Sequence, residues 1–203
     1  MWFFRSFRYL PSPTFQWLAP RLAIFIVYWL FRDMPVAVLG APISAVGLAV
    51  FVSIALLMAR AAPYTLAQAR RDGVTVWVSI FLIAILIAAL LGVVATDDRA
   101  VQAGWLIGWL TYCAMFALVV FAFPEEDHAK LPFHWASDHP LSGNAMRILL
   151  VRYAVEVAAA SYLMAYGTLD DWVLFVSFGR IALYYLFNWI IILMIVTAPD
   201  EEP

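Results

Sequence analysis

The sequence predicts an all-α integral membrane protein, a bundle of six transmembrane helices with a short N-terminal interfacial helix. Three observations carry that expectation. The 203 residues are 66% hydrophobic and only 13% charged, with a mean hydropathy of +0.89, whereas soluble domains are about half apolar and about a quarter charged. The apolar residues gather into stretches of the length that carries a helix across about 30 Å of hydrocarbon. Short polar segments separate these stretches, and helices, which satisfy their own backbone groups, are the form such stretches take in lipid.

At the start of the chain, Phe3, Phe4, Phe7 and Leu10 share one helical face with Arg5 and Arg8 opposite, the pattern of a helix lying in the interface plane. Residues 32–35 offer no small-residue pair, so cleavage of a signal peptide is not expected. The first span, 15–31, is short and carries Pro20 and Arg21 near its start; Arg21 is expected to snorkel to the inner interface. Five further spans follow at 35–58, 74–95, 101–123, 146–167 and 172–196.

Charge asymmetry supports counting the first stretch as a span. With six crossings one side holds Arg5, Arg8, Arg60, Arg70, Arg71, Lys130 and Arg147, and the other only Arg32 and Arg99. Short cytoplasmic loops hold the basic excess, which puts both termini in the cytoplasm. The expected location is a bacterial inner membrane.

The outer turns, at Arg32-Asp33, 96–100 and 168–171, are tight and supply Asp or Thr caps to the following helices, with Pro35 near a first turn. Trp29, Trp105 and Trp172 fall near one expected interface and Trp17, Trp77 and Trp189 near the other, as aromatic belts do. The loop 124–145 is the sizeable extramembrane piece and 200–203 an acidic tail. No internal repeat or long linker is visible, so residues 1–203 read as one polytopic membrane domain. Gly104 and Gly108 form GxxxG, Gly40, Ser44 and Gly47 line one side of the second span, and Ala88 and Gly92 repeat the spacing on the third. Internal packing is expected there ahead of an oligomer seam.

Missing residues exclude several chemistries. Twelve basic against fourteen acidic residues give a net charge of -2, which argues against a nucleic-acid partner. A lone Cys113 forbids an intrachain disulfide and a cysteine-ligated cluster. His128, His134 and His139 and the single lysine, Lys130, all lie in the 124–145 loop. No span therefore offers a haem-binding histidine pair or an amine for a Schiff base. Neither HExxH nor GxSxG occurs, so catalysis has no visible parts. Asp127, His128, His134, Asp138 and His139 match no compact zinc spacing; no metal and no cofactor are expected.

What remains is a polar cluster inside the bilayer. A charged side chain at the bilayer centre costs about 2.5 to 3.5 kcal/mol on insertion scales, so each asks for a partner. Arg152 and Glu156 stand four apart on the fifth span and can pair along one face. Measured from Asp170 in the turn, Glu156 lies 14 residues back and Arg180 10 residues on, a depth mismatch of about 6 Å that an arginine spans. Arg152 and Asn188 are each 18 residues from the same pivot, and Ser177, Arg180, Tyr184 and Asn188 form a stripe on the sixth span.

Two arginines against one glutamate leave a surplus positive charge. The expectation is a small inner-membrane permease or substrate-binding membrane subunit for an anionic or amphiphilic small molecule or lipid. Arg152, Glu156, Arg180, Tyr184 and Asn188 line its site. The alternative is a non-catalytic accessory or scaffolding subunit with membrane-protein partners, in which the same residues fix helix register.

Overall fold

The computed structural model describes residues 10, 15–34, 37–38, 41–71, 97–122 and 142–197, and, between them, 76, 79–80, 83, 85–87, 90 and 92. These residues are helical apart from turns and one two-residue ladder. The helices are α1 (Phe15–Phe31), α2 (Ala45–Arg71), α3 (Asp98–Ala122), α4 (Ser142–Tyr166), α5 (Leu169–Leu174) and α6 (Arg180–Thr197), with a π-helical turn, Phe175–Gly179, between the last two. The described residues between 76 and 92 are helical as well. Strands β1 (Ala37–Val38) and β2 (Ala41–Pro42) pair antiparallel, Ala37 with Pro42 and Val38 with Ala41. The expected interfacial helix over the first residues, Pro35, most of the 124–145 loop with its three histidines, and the acidic tail lie outside the described residues.

Two stretches, Gly143–Tyr166 and Leu169–Met194, are long and apolar enough to cross a membrane. Leu18–Phe31 and Ala45–Arg60 are apolar but shorter.

The second helix departs from its expected limits. It begins at Ala45, ten residues after Pro35, because Ser44 caps it: the Ser44 hydroxyl accepts from the Gly47 N–H at 3.1 Å and the Ser44 carbonyl from the Leu48 N–H at 2.9 Å. It then runs past Met58 to Arg71, through Pro63. The other two caps match the sequence expectation. Asp97 accepts from the Arg99 N–H at 2.9 Å before α3. Thr168 forms a reciprocal capping box with Asp171 before α5. The Asp171 oxygen that accepts the Thr168 hydroxyl and N–H is thereby held below the ordinary carboxylate range.

The chain divides into two compact units, with divisions inside α3, before the last residue of α4 and inside the π-helical turn. One comprises Leu106–Ala165 and the chain from Gly179; we call it the α4–α6 unit. Its core joins Phe116, Val120, Ala145, Met146, Leu149, Tyr153 and Ile191. The other, the α1–α2 unit, comprises Pro13–Trp105 and Tyr166–Phe178. There α1 packs along α2 and touches α5, burying Ala23, Ile24 and Tyr28 while Ile26, Trp29 and Leu30 face outward. Trp172 is fully buried and meets Trp105 edge to face at 5.4 Å, so it packs inside the protein and not in a lipid-facing belt.

The GxxxG pair also departs from expectation. A Cβ placed on Gly104 or Gly108 would meet nothing within 4 Å, so close helix packing is not what these glycines serve among the described residues.

Candidate functional site

In the α4–α6 unit, α4 supplies Arg152 and Glu156 one turn apart and α6 supplies Arg180 at its first residue. Glu156 sits between the two arginines. Its Oε2 accepts from Arg180 Nε at 3.0 Å, and its Oε1 lies 3.2 Å from Arg152 Nε. The second contact is a charge pair without the alignment of a hydrogen bond. All three side chains are more than nine-tenths buried, at 8%, 3% and 9% exposure for Arg152, Glu156 and Arg180. Charges this far from water are tolerated only when paired, and here one carboxylate meets two guanidinium groups.

Aromatic rings surround the guanidinium groups. Arg180 lies over Trp109 of α3 at 3.9 Å, and Arg152 over Tyr153 at 4.3 Å and Tyr184 at 5.4 Å. Ring faces are negative, so each stack stabilises a cation that has left water. Trp109 stacks with Tyr153 at 6.0 Å, and Tyr112 meets Tyr153 edge to face at 5.1 Å. Trp109, Tyr112 and Phe116 recur at helical spacing on α3, a pattern that carries the aromatic wall and that sequence reasoning did not single out.

Of the five residues expected in the site, the structure joins four: Arg152, Glu156 and Arg180 through charge, and Tyr184 through its ring. Asn188 is buried on the same helix, but its amide donates to the Tyr184 carbonyl at 2.8 Å. That bond is made within its own helix and not to Arg152. Ser177 falls in the other unit; it is fully buried and its hydroxyl has no partner among the described residues. The expected stripe is thus interrupted by the π-helical turn, a feature that widens the helix locally and recurs at functional positions. Gln102 is a further buried polar residue, on α3, that the sequence reading passed over.

Among the described residues no group of three or more His, Cys, Asp or Glu is placed to hold a metal ion. No protein-family signature, curated protein or solved structure matches the chain.

Proposed function

We propose that the chain is a multi-pass membrane protein, a permease or substrate-binding subunit whose Arg152–Glu156–Arg180 cluster receives an anionic or amphiphilic small molecule. The observation that carries this reading is the buried two-to-one ratio of arginine to glutamate. Two buried guanidinium groups on one carboxylate, each stacked on an aromatic ring, favour a carboxylate or phosphate, and intramembrane ionisable residues mark such sites. Tyr184 lines the same site, with Asn188 one turn beyond it.

The membrane setting is supported by an inverted distribution of polarity. Arg152, Glu156, Arg180, Asn188, Gln102 and Ser177 are buried, while Phe121 (72% exposed), Ile107 (63%) and Leu110 (52%) face outward. Water would penalise that arrangement and hydrocarbon would not. Six crossings with both termini in the cytoplasm, as in a bacterial inner membrane, rest on the basic-residue asymmetry between alternate loops.

The experiment is uptake of radiolabelled decanoate and of inorganic phosphate into proteoliposomes by wild type and Arg180→Ala. The proposal expects uptake of one of them to be lost in a variant that remains helical and soluble in detergent. Uptake unchanged by the substitution, or absent for both probes in wild type, counts against it. The accessory-subunit reading draws on Tyr162, 63% exposed on α4; stable co-purification of a second membrane protein, lost on replacing Tyr162, would favour it.

A further inference from the structure

A cavity in the α1–α2 unit differs from the buried cluster in electrostatic character, and its reading is independent of the one above. It measures about 260 Å³ and is lined by the C-terminal end of α1 (Tyr28, Phe31, Arg32), by Met34, by the residues leading into α2 (Pro42, Ile43, Ser44, Ala45), and by Asp98 and Leu169. At about 30 Å³ per water that is room for about eight waters, enough for a small organic molecule.

The lining holds one cation and one anion that are not paired with each other. Arg32 gives its Nε to Asp33 at 3.1 Å and its Nη1 to Asp170 at 3.0 Å, and it stacks on Trp29 at 3.8 Å. Its Nη2 bonds no described residue. Asp98 accepts the Ser44 hydroxyl on Oδ1 at 2.5 Å, and its Oδ2 bonds no described residue. Both groups are therefore held in place by one side of the side chain while the other side remains available. The Tyr28 hydroxyl donates to Asp170 at 2.7 Å. The remaining lining is apolar: Phe31, Met34, Ile43 and Leu169.

An anion alone would meet Asp98, and a cation alone would meet Arg32. We propose that this cavity binds an amino-zwitterion, its ammonium group on Asp98 Oδ2 and its carboxylate or phosphate on Arg32 Nη2, with any apolar portion against Phe31 and Met34. The shared chemistry, a primary amine a few bonds from an oxyanion, belongs both to an α-amino acid and to an ethanolamine phospholipid headgroup.

Equilibrium binding to the purified full chain separates these sources and tests the site. The probes are L-leucine with its single-charge analogues isovalerate and isopentylamine, and O-phosphoethanolamine with ethanolamine and inorganic phosphate. The site predicts that one zwitterion binds about tenfold or more tightly than both of its analogues. The leucine set identifies a free amino acid and the phosphoethanolamine set a lipid headgroup. Asp98→Asn and Arg32→Gln should each weaken that binding by about tenfold. Because Asp98 also ties Ser44, a third variant, Ala45→Leu, keeps both charges and fills the cavity; it should abolish binding in a chain whose helical circular dichroism is unchanged. Analogues that bind as tightly as the zwitterion, wild-type protein that binds neither zwitterion, or undiminished binding in Ala45→Leu would overturn the proposal. The Arg180→Ala variant should bind the zwitterion normally, so failure here and failure of the α4–α6 site are read separately.

Discussion

The molecule contains the same interaction twice, in two environments. In the α4–α6 unit Arg180 meets Glu156 at 3.0 Å and covers Trp109 at 3.9 Å. In the α1–α2 unit Arg32 meets Asp170 at 3.0 Å and covers Trp29 at 3.8 Å. The geometry is nearly identical, but the first pair is 9% and 3% exposed and the second 30% and 43%. Burial separates them, and so does stoichiometry, since Glu156 meets two arginines and Arg32 two carboxylates. Water screens the Arg32 pair and would resolvate either partner if the other were lost, so it adds little to stability. The buried pair has no such refuge, so removing one partner leaves an uncompensated charge.

The largest effect that comparison predicts is for Glu156→Ala. It strands two buried arginines and should cost about 3 to 5 kcal/mol of stability, read as a lowered midpoint of thermal or denaturant unfolding in detergent. A loss no greater than that of an exposed-pair variant would mean that water reaches the cluster.

The triple replacement Arg152→Met, Glu156→Leu, Arg180→Leu removes the whole set. Because well-packed apolar residues often match or exceed a buried ion network, it should fold at least as stably as wild type while losing anion binding. A chain that cannot fold without the three charges would indicate that they specify helix register, as the accessory-subunit reading holds.

Arg32→Gln should lower stability by only a small fraction of the Glu156→Ala loss, and high salt should shrink the difference further through screening. The Glu156→Ala loss should be nearly insensitive to salt. Equal salt responses would erase the distinction between the two pairs.

The smallest effect concerns the α5 cap, also exposed. The Asp171 carboxyl titrates below its ordinary value because the ionised form accepts two hydrogen bonds from Thr168. Its contribution is therefore complete above the ordinary carboxylate range and fades as pH falls through the depressed folded value. Unfolding midpoints of wild type and Asp171→Asn should converge at acidic pH and differ slightly near neutrality. A difference that widened with acid would contradict the assigned bond direction.

How much of this was legible in the sequence follows the range of the interactions. The limits of α1 and the Arg152–Glu156 spacing are local, and hydropathy and helical period reveal them. The approach of Arg180 to Glu156 was also accessible, because one short turn after α4 leads into the helical run that ends in α6 and residue counting gives relative depth. The aromatic wall was not: Trp109 and Tyr112 reach the cluster from α3, far away along the chain, and no count along it relates them to Arg180. Two local rules were overridden. Ser44 took the cap position that a helix opening near Pro35 would have left unused, and the π-helical turn broke the period that tied Ser177 to Arg180. Asn188 lay on the expected face but bonds its own backbone, a choice side-chain spacing does not reveal.

If the guanidinium groups beside Glu156 form an anion-binding site, the purified protein must hold an anion without transporting it. The experiment is equilibrium dialysis of radiolabelled decanoate against wild type, Arg180→Ala and the apolar triple variant, each confirmed helical. Wild type should bind saturably, with binding weaker by about tenfold or more in both variants. Equal binding by all three folded proteins would contradict an anion-binding site there.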